Sequence, residues 1–229
     1  MRVLHPIGPA LLVAALLVAA PARAEEYSSG QSGFTFGARL GVAMPNGSVA
    51  EGGWSVSDEI KYAVPVVLEA GWRFSPRWTL GGYFQYARAA IATDAPQGSG
   101  GCKSAGSGCS NAKQLRAGAQ VLLTPPPRGQ LEPWVGVGTG LEWLSYDLHD
   151  PSSSGTLELS GWEWVNLQAG VGWRAASHVK VGPYASISIG QYDHLSLVTT
   201  SGSESGKIPG GNRATHTFIQ LGVRGQFDL

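Results

Sequence analysis

Apolar and polar residues alternate with period two along most of the chain, which is the mark of strands whose two faces meet different surroundings. The first such segment sets Phe34, Phe36, Ala38, Leu40, Val42 and Met44 against Thr35, Gly37, Arg39, Gly41 and Ala43. The same pattern returns at 64–72, 78–86, 115–123, 135–143, 165–173, 179–189 and 217–227. These eight segments have the length of tilted membrane-crossing strands, about 9–11 residues each. Pro65 and Pro183 each lack a ladder donor and predict a bulge or a strand end.

The connections alternate in length. Short links fall at 75–77, 124–132 and 175–178, whereas 45–61, 92–111, 145–158 and 193–214 are long and polar. A soluble barrel has no reason to sort its loops this way. A membrane barrel does, with long loops on the outside and short turns on the periplasmic side. The predicted fold is therefore an all-β, eight-stranded, antiparallel up-and-down transmembrane β-barrel.

Charge placement supports the inside-out reading. The centres of the apolar faces carry no charge, while the opposite faces carry Arg39, Glu69, Arg116, Glu142 and Arg224. A soluble barrel shows the reverse. A hairpin register about the 124–132 turn sets Arg116 opposite Glu142, and Arg39 falls within a residue or two of Glu69. Buried charges need partners, and eight strands leave a lumen just wide enough for side chains. These five residues are expected to form an Arg/Glu network that plugs the lumen, with a narrow passage for small or hydrophobic solutes as the alternative.

Tryptophans add two predicted girdles, as interfaces between membrane and water favour. Trp72, Trp78, Trp134 and Trp173 lie near the short turns, and Trp143, Trp162 and Trp164 near the long loops. The stretch from Trp134 to Trp143 corresponds to roughly 22 Å along the membrane normal at a ~45° tilt.

Composition refines the compartment. Arg2, an apolar run over 9–20 and Ala22-Arg23-Ala24 before Glu25 make a three-part secretory leader, dividing the chain into a signal peptide, 1–24, and one barrel domain, 25–229. The leader takes two of the 16 basic residues, Arg2 and Arg23. That leaves 14 against 16 acidic and a net charge near −2, with no basic field for nucleic acid. Cys102 and Cys109 share a Gly/Ser-rich stretch, and in an exported chain they are expected to form a disulfide closing a short loop. Too few soft ligands surround them for a metal site, and no cofactor is expected.

These features together resemble the small bacterial outer-membrane β-barrel superfamily, in its OmpA/OmpW-like eight-stranded group. The resemblance rests on the leader, the eight alternating segments and the closing QLGVRGQFDL, in which Gln220, Gly222 and Phe227 match the terminal assembly signal of such proteins. Gly225 stands where an aromatic is usual, and Asp228-Leu229 runs past the usual terminal Phe. The resemblance implies a monomer in the bacterial outer membrane, both termini periplasmic, with membrane lipid, lipopolysaccharide and the barrel-assembly machinery as partners. It implies a structural or surface role. Lipid A-modifying enzymes of this architecture use a rim histidine, and His194-Leu195-Ser196 with Glu204 superficially suits one. His149 and His216 also fall near loops, without a consistent partner. The surrounding residues do not follow the enzymes' pattern, so no enzyme is expected. Adhesion through the long loops is the other candidate; their small polar residues offer few anchors apart from Trp54 beside Asp58-Glu59.

Overall fold

The computed structural model describes residues 32–53, 55–92, 108–127, 129–150, 153–200 and 202–229. The predicted leader, Cys102 and Trp54 lie outside these residues, as does the side chain of Cys109.

The alternating segments form strands because each can bury one face and leave the other apolar outside. They are β1 (Gly33–Gly47), β2 (Ile60–Arg73), β3 (Trp78–Ile91), β4 (Gly108–Leu123), β5 (Leu131–Asp150), β6 (Ser153–Ala176), β7 (Val179–Thr199), β8 (Gly202–Lys207) and β9 (Thr215–Asp228). A single helical turn, α1 (Val56–Glu59), precedes β2. Every pairing is antiparallel, and β9 sits between β1 and β7, so β1 to β7 and β9 close a ring of eight. The ninth strand, β8, folds back on the far end of β7 outside the ring. The fold is the predicted eight-stranded up-and-down barrel. Among the described residues no helix is long and apolar enough to cross a membrane, and a closed ring of strands satisfies the same backbone requirement.

The exterior carries the apolar residues. Leu68 and Leu80 are 57% and 55% exposed, and Phe36, Leu40, Phe84, Val137, Leu167 and Leu221 are exposed likewise. On the inner face of the same strands Glu69, Gln120, Gln168, Ser186 and Arg224 are buried. That polarity suits hydrocarbon outside and a polar interior.

Two predicted loops are largely strand. Residues 145–150 belong to β5 and 153–158 to β6, whose ladder continues to Asp150 opposite Ser153, and most of 193–214 is the far end of β7 with β8. Beyond the apolar belt these strands reverse polarity. Leu144, Tyr146, Leu157 and Leu159 point inward, buried with Val56, Ile60, Tyr192 and Phe218 in one apolar cluster, with α1 packed over it.

The prolines do not break strands. Pro65 pairs with Ala87 and Pro183 with Val223 in continuous ladders. On their other sides the ladder is interrupted, between Val66 and Ala63 along β1 and between Tyr184 and Val181 along β6. The missing donor thus leaves a gap in one ladder only.

Candidate functional site

The lumen holds the predicted charges in two layers. Nearer the short turns, Arg39 on β1 is the direct cross-strand neighbour of Arg224 on β9. Two like charges so placed repel, and Glu69 on β2 answers both. Arg39 donates to it from Nε at 2.9 Å and Nη2 at 2.6 Å, and Arg224 from Nε at 2.8 Å. Gln120 on β4 donates to Glu69 at 2.7 Å while accepting from Arg39 at 2.9 Å and from Gln168 at 3.0 Å. The carboxylate is thereby fully engaged, as a buried charge requires.

Trp134 belongs to this layer and not to a girdle. It is 5% exposed, with the Arg224 guanidinium 4.3 Å and that of Arg39 5.8 Å from its ring centre, in cation–π range. Its position shares parity with the inward glycines Gly136, Gly138 and Gly140, the sequence signal that places it inside. Gly170 makes room for the ring: a Cβ there would lie 2.7 Å from it. The other predicted girdle residues do project outward. Trp72, Trp78, Trp162, Trp164 and Trp173 are exposed, and Trp143 is half-buried.

The second layer is centred on Arg116, which pairs in register with Glu142 as expected. Its Nε lies 2.9 Å from Glu142 Oε2 as a charge contact, and its Nη1 3.4 Å from Glu163 Oε1. Its guanidinium rests 4.5 Å from the Phe218 ring centre. Two carboxylates thus face one arginine, and other polar side chains surround them. Tyr192 donates to Glu142 at 2.5 Å and Gln114 at 3.2 Å, and His216 Nε2 lies 3.2 Å away. Glu163 accepts from Tyr83 and, at 2.9 Å, from Asn166. Tyr83 crosses the lumen over Gly118 and Gly140, where a Cβ would meet its hydroxyl at 2.6 and 2.9 Å.

Glu163 escapes simple alternation, because a bulge between Glu163 and Val165 shifts the parity of β6. The inserted residue lets Trp164 and Val165 both turn outward and swings Glu163 in. Thr139 Oγ1, on the belt side, donates to the Glu163 carbonyl at 2.9 Å and satisfies the bulged backbone.

A third set closes the turn end: Asp228 with Arg73 at 2.8 Å and Lys180 at 2.8 Å, and Glu132 with Lys180 at 2.7 Å. These residues sit at strand ends, where alternation carries little weight. Two internal cavities, lined in part by Trp134, Arg224, Glu69 and Gln120, measure about 10 Å³ each, the scale of a single water.

The rim residues His194, Ser196 and Glu204 do not share one face. His194 contacts Asp193 at 3.1 Å. Glu204 pairs with Leu197 and so projects from the face opposite His194 and Ser196. His216 on β9 is buried in the second layer, and Glu59, the last residue of α1, is buried as well, so neither is an exposed loop residue. Gln220 points inward and donates to Tyr184 at 2.5 Å, Gly222 lies where its strand meets β1 closely, and Phe227 is exposed outside. Among the described residues no group of three or more His, Cys, Asp or Glu is placed to hold a metal ion.

No family model matches the chain, and no curated protein matches it. Solved structures do share its fold. Neisserial surface protein A superposes with a TM-score of 0.50 at 14% identity, over 87% of this chain and 99% of that one. The outer membrane protein OprG from Pseudomonas aeruginosa gives 0.50 at 12% identity, over 88% and 99%. At such identities the likeness establishes a shared barrel fold.

Proposed function

We propose that this chain is a bacterial outer-membrane barrel with a closed lumen, serving a structural or surface role and not bulk solute passage. The observation that carries this reading is the stacking of two buried charge layers beneath an apolar cap. Each crosses an interior only eight strands wide. The shared fold with known outer-membrane proteins supports the compartment, and the exposed tryptophans suit the two membrane interfaces. The strands and loops at the far end would face outward, and the short turns and both termini the periplasm. Membrane lipid and lipopolysaccharide would surround a monomer, delivered by the assembly machinery that reads Gln220, Gly222 and Phe227.

Planar-bilayer recording of the purified protein tests the closed lumen. The expected result is a silent bilayer after verified insertion. Steady unitary conductance would overturn the reading in favour of the narrow channel.

A further inference from the structure

The belt is not uniformly convex. On the outer faces of β2, β3 and β4 the small residues Ala70, Gly82 and Ala117 floor a concavity of about 660 Å³, walled by Phe36, Leu68 and Phe84. The floor spans three strands, roughly 10 Å at ~4.8 Å per strand, wider than one acyl chain. A neighbouring hollow of about 290 Å³ continues it past Ala119 and Thr139 to Trp164.

Directly above, toward the loop end, the same strands carry cations. The row Tyr86–Leu115–Trp143 marks the edge of the belt, and the next row up is Val64–Arg88–Lys113–Ser145. Arg88 and Lys113 are thus direct cross-strand neighbours of like charge, both exposed, an arrangement that destabilises a sheet unless an anion lies between. A bulge between Ile60 and Tyr62 turns Lys61 outward as well. Asp147 answers Lys113 from the far side at 3.4 Å, while among the described residues Arg88 meets the Tyr86 hydroxyl, 3.3 Å from its Nε.

We propose that this face of β2–β4 binds a phosphate-bearing, multiply acylated lipid of the loop-end leaflet. Its chains lie in the groove and its phosphates sit on Lys61, Arg88 and Lys113. The assignment rests on the membrane reading above. Wide apolar grooves topped by cations, at the depth where headgroups lie, match such a lipid in both charge and shape.

Native mass spectrometry of the detergent-purified protein tests it, with diphosphorylated hexa-acyl lipid A and phosphatidylethanolamine as probes. The wild type is expected to retain lipid A at least tenfold better than the zwitterionic lipid. R88S/K113S should lower that retention roughly 25-fold, at about fivefold per cation, and the groove-filling A70L/A117L should lower it comparably. Equal retention of the two lipids, or lipid A binding unchanged in both variants, would overturn the site. All substituted side chains face outward, so both variants should keep a heat-modifiable gel shift. A wild-type protein lacking that shift and soluble without detergent would instead overturn the membrane reading beneath it.

Discussion

Along β5 two neighbouring stretches solve opposite problems. From Val135 to Glu142 the leucine and valines face out and the glycines and Glu142 face in; from Leu144 to Asp147 the leucine and tyrosine face in, and Ser145 and Asp147 face out. The lower half of the barrel gains little from moving its outer side chains out of lipid, because lipid is as apolar as they are. Its interior is held by directional bonds between charges. The upper half has an ordinary core, with Leu144, Leu159, Tyr192 and Phe218 fully or almost fully buried, and there the hydrophobic effect acts as in any soluble domain. One strand thus carries two stabilising regimes, and the change falls at the Trp143 level.

Three substitutions would break or sharpen that contrast. The largest effect is expected from Glu69→Ala, which leaves Arg39 and Arg224 buried, adjacent and unanswered. It should cost about 3–5 kcal/mol, read from urea unfolding by the heat-modifiable band. A cost under about 1 kcal/mol would show that water reaches the layer. In the upper half Leu144→Ala should cost about 2–4 kcal/mol by opening a cavity. It should also raise exchange of the amides of α1 and the ends of β5 to β7 without loosening those around Glu69. Loosening throughout would show that the halves melt as one unit. The smallest effect is expected from Thr139→Val, which strips the bulged Glu163 carbonyl of its donor at a cost of about 1 kcal/mol. If stability is unchanged, the bulge is satisfied by backbone alone.

The same contrast explains what the sequence reveals. Strand positions, the apolar belt and the Arg116–Glu142 pairing follow from alternation, since in the lower half one parity is apolar throughout. Where polarity reverses, Leu144, Tyr146 and Leu148 sit on the parity that carries Glu142 one turn of the pleat earlier, so the segment reads as loop. Glu163 is hidden by the bulge for the same reason: one inserted residue moves it to the opposite face. Trp134 is misread because tryptophan near a turn suits an interface, whereas its parity with Gly136 and Gly138 points inward. The Asp228–Lys180–Glu132 cluster is not legible from any one segment, because its members come from the ends of three strands, β9, β7 and β5.

Closure of the ring also bears on how the molecule is made. Phe36 pairs with Phe227 and Leu40 with Val223, contacts between residues separated by nearly the whole described chain. Arg39 meets Arg224 across the same seam, so the first charge layer has no complete form until the last strand arrives. Pairings of such sequence separation form slowly. A growing sheet with β1 and β7 both unpaired would offer two open edges to other chains. The seam between first and last strand is therefore the step at which this protein is most exposed to misassembly, and the one an escort in the cell has most reason to guard.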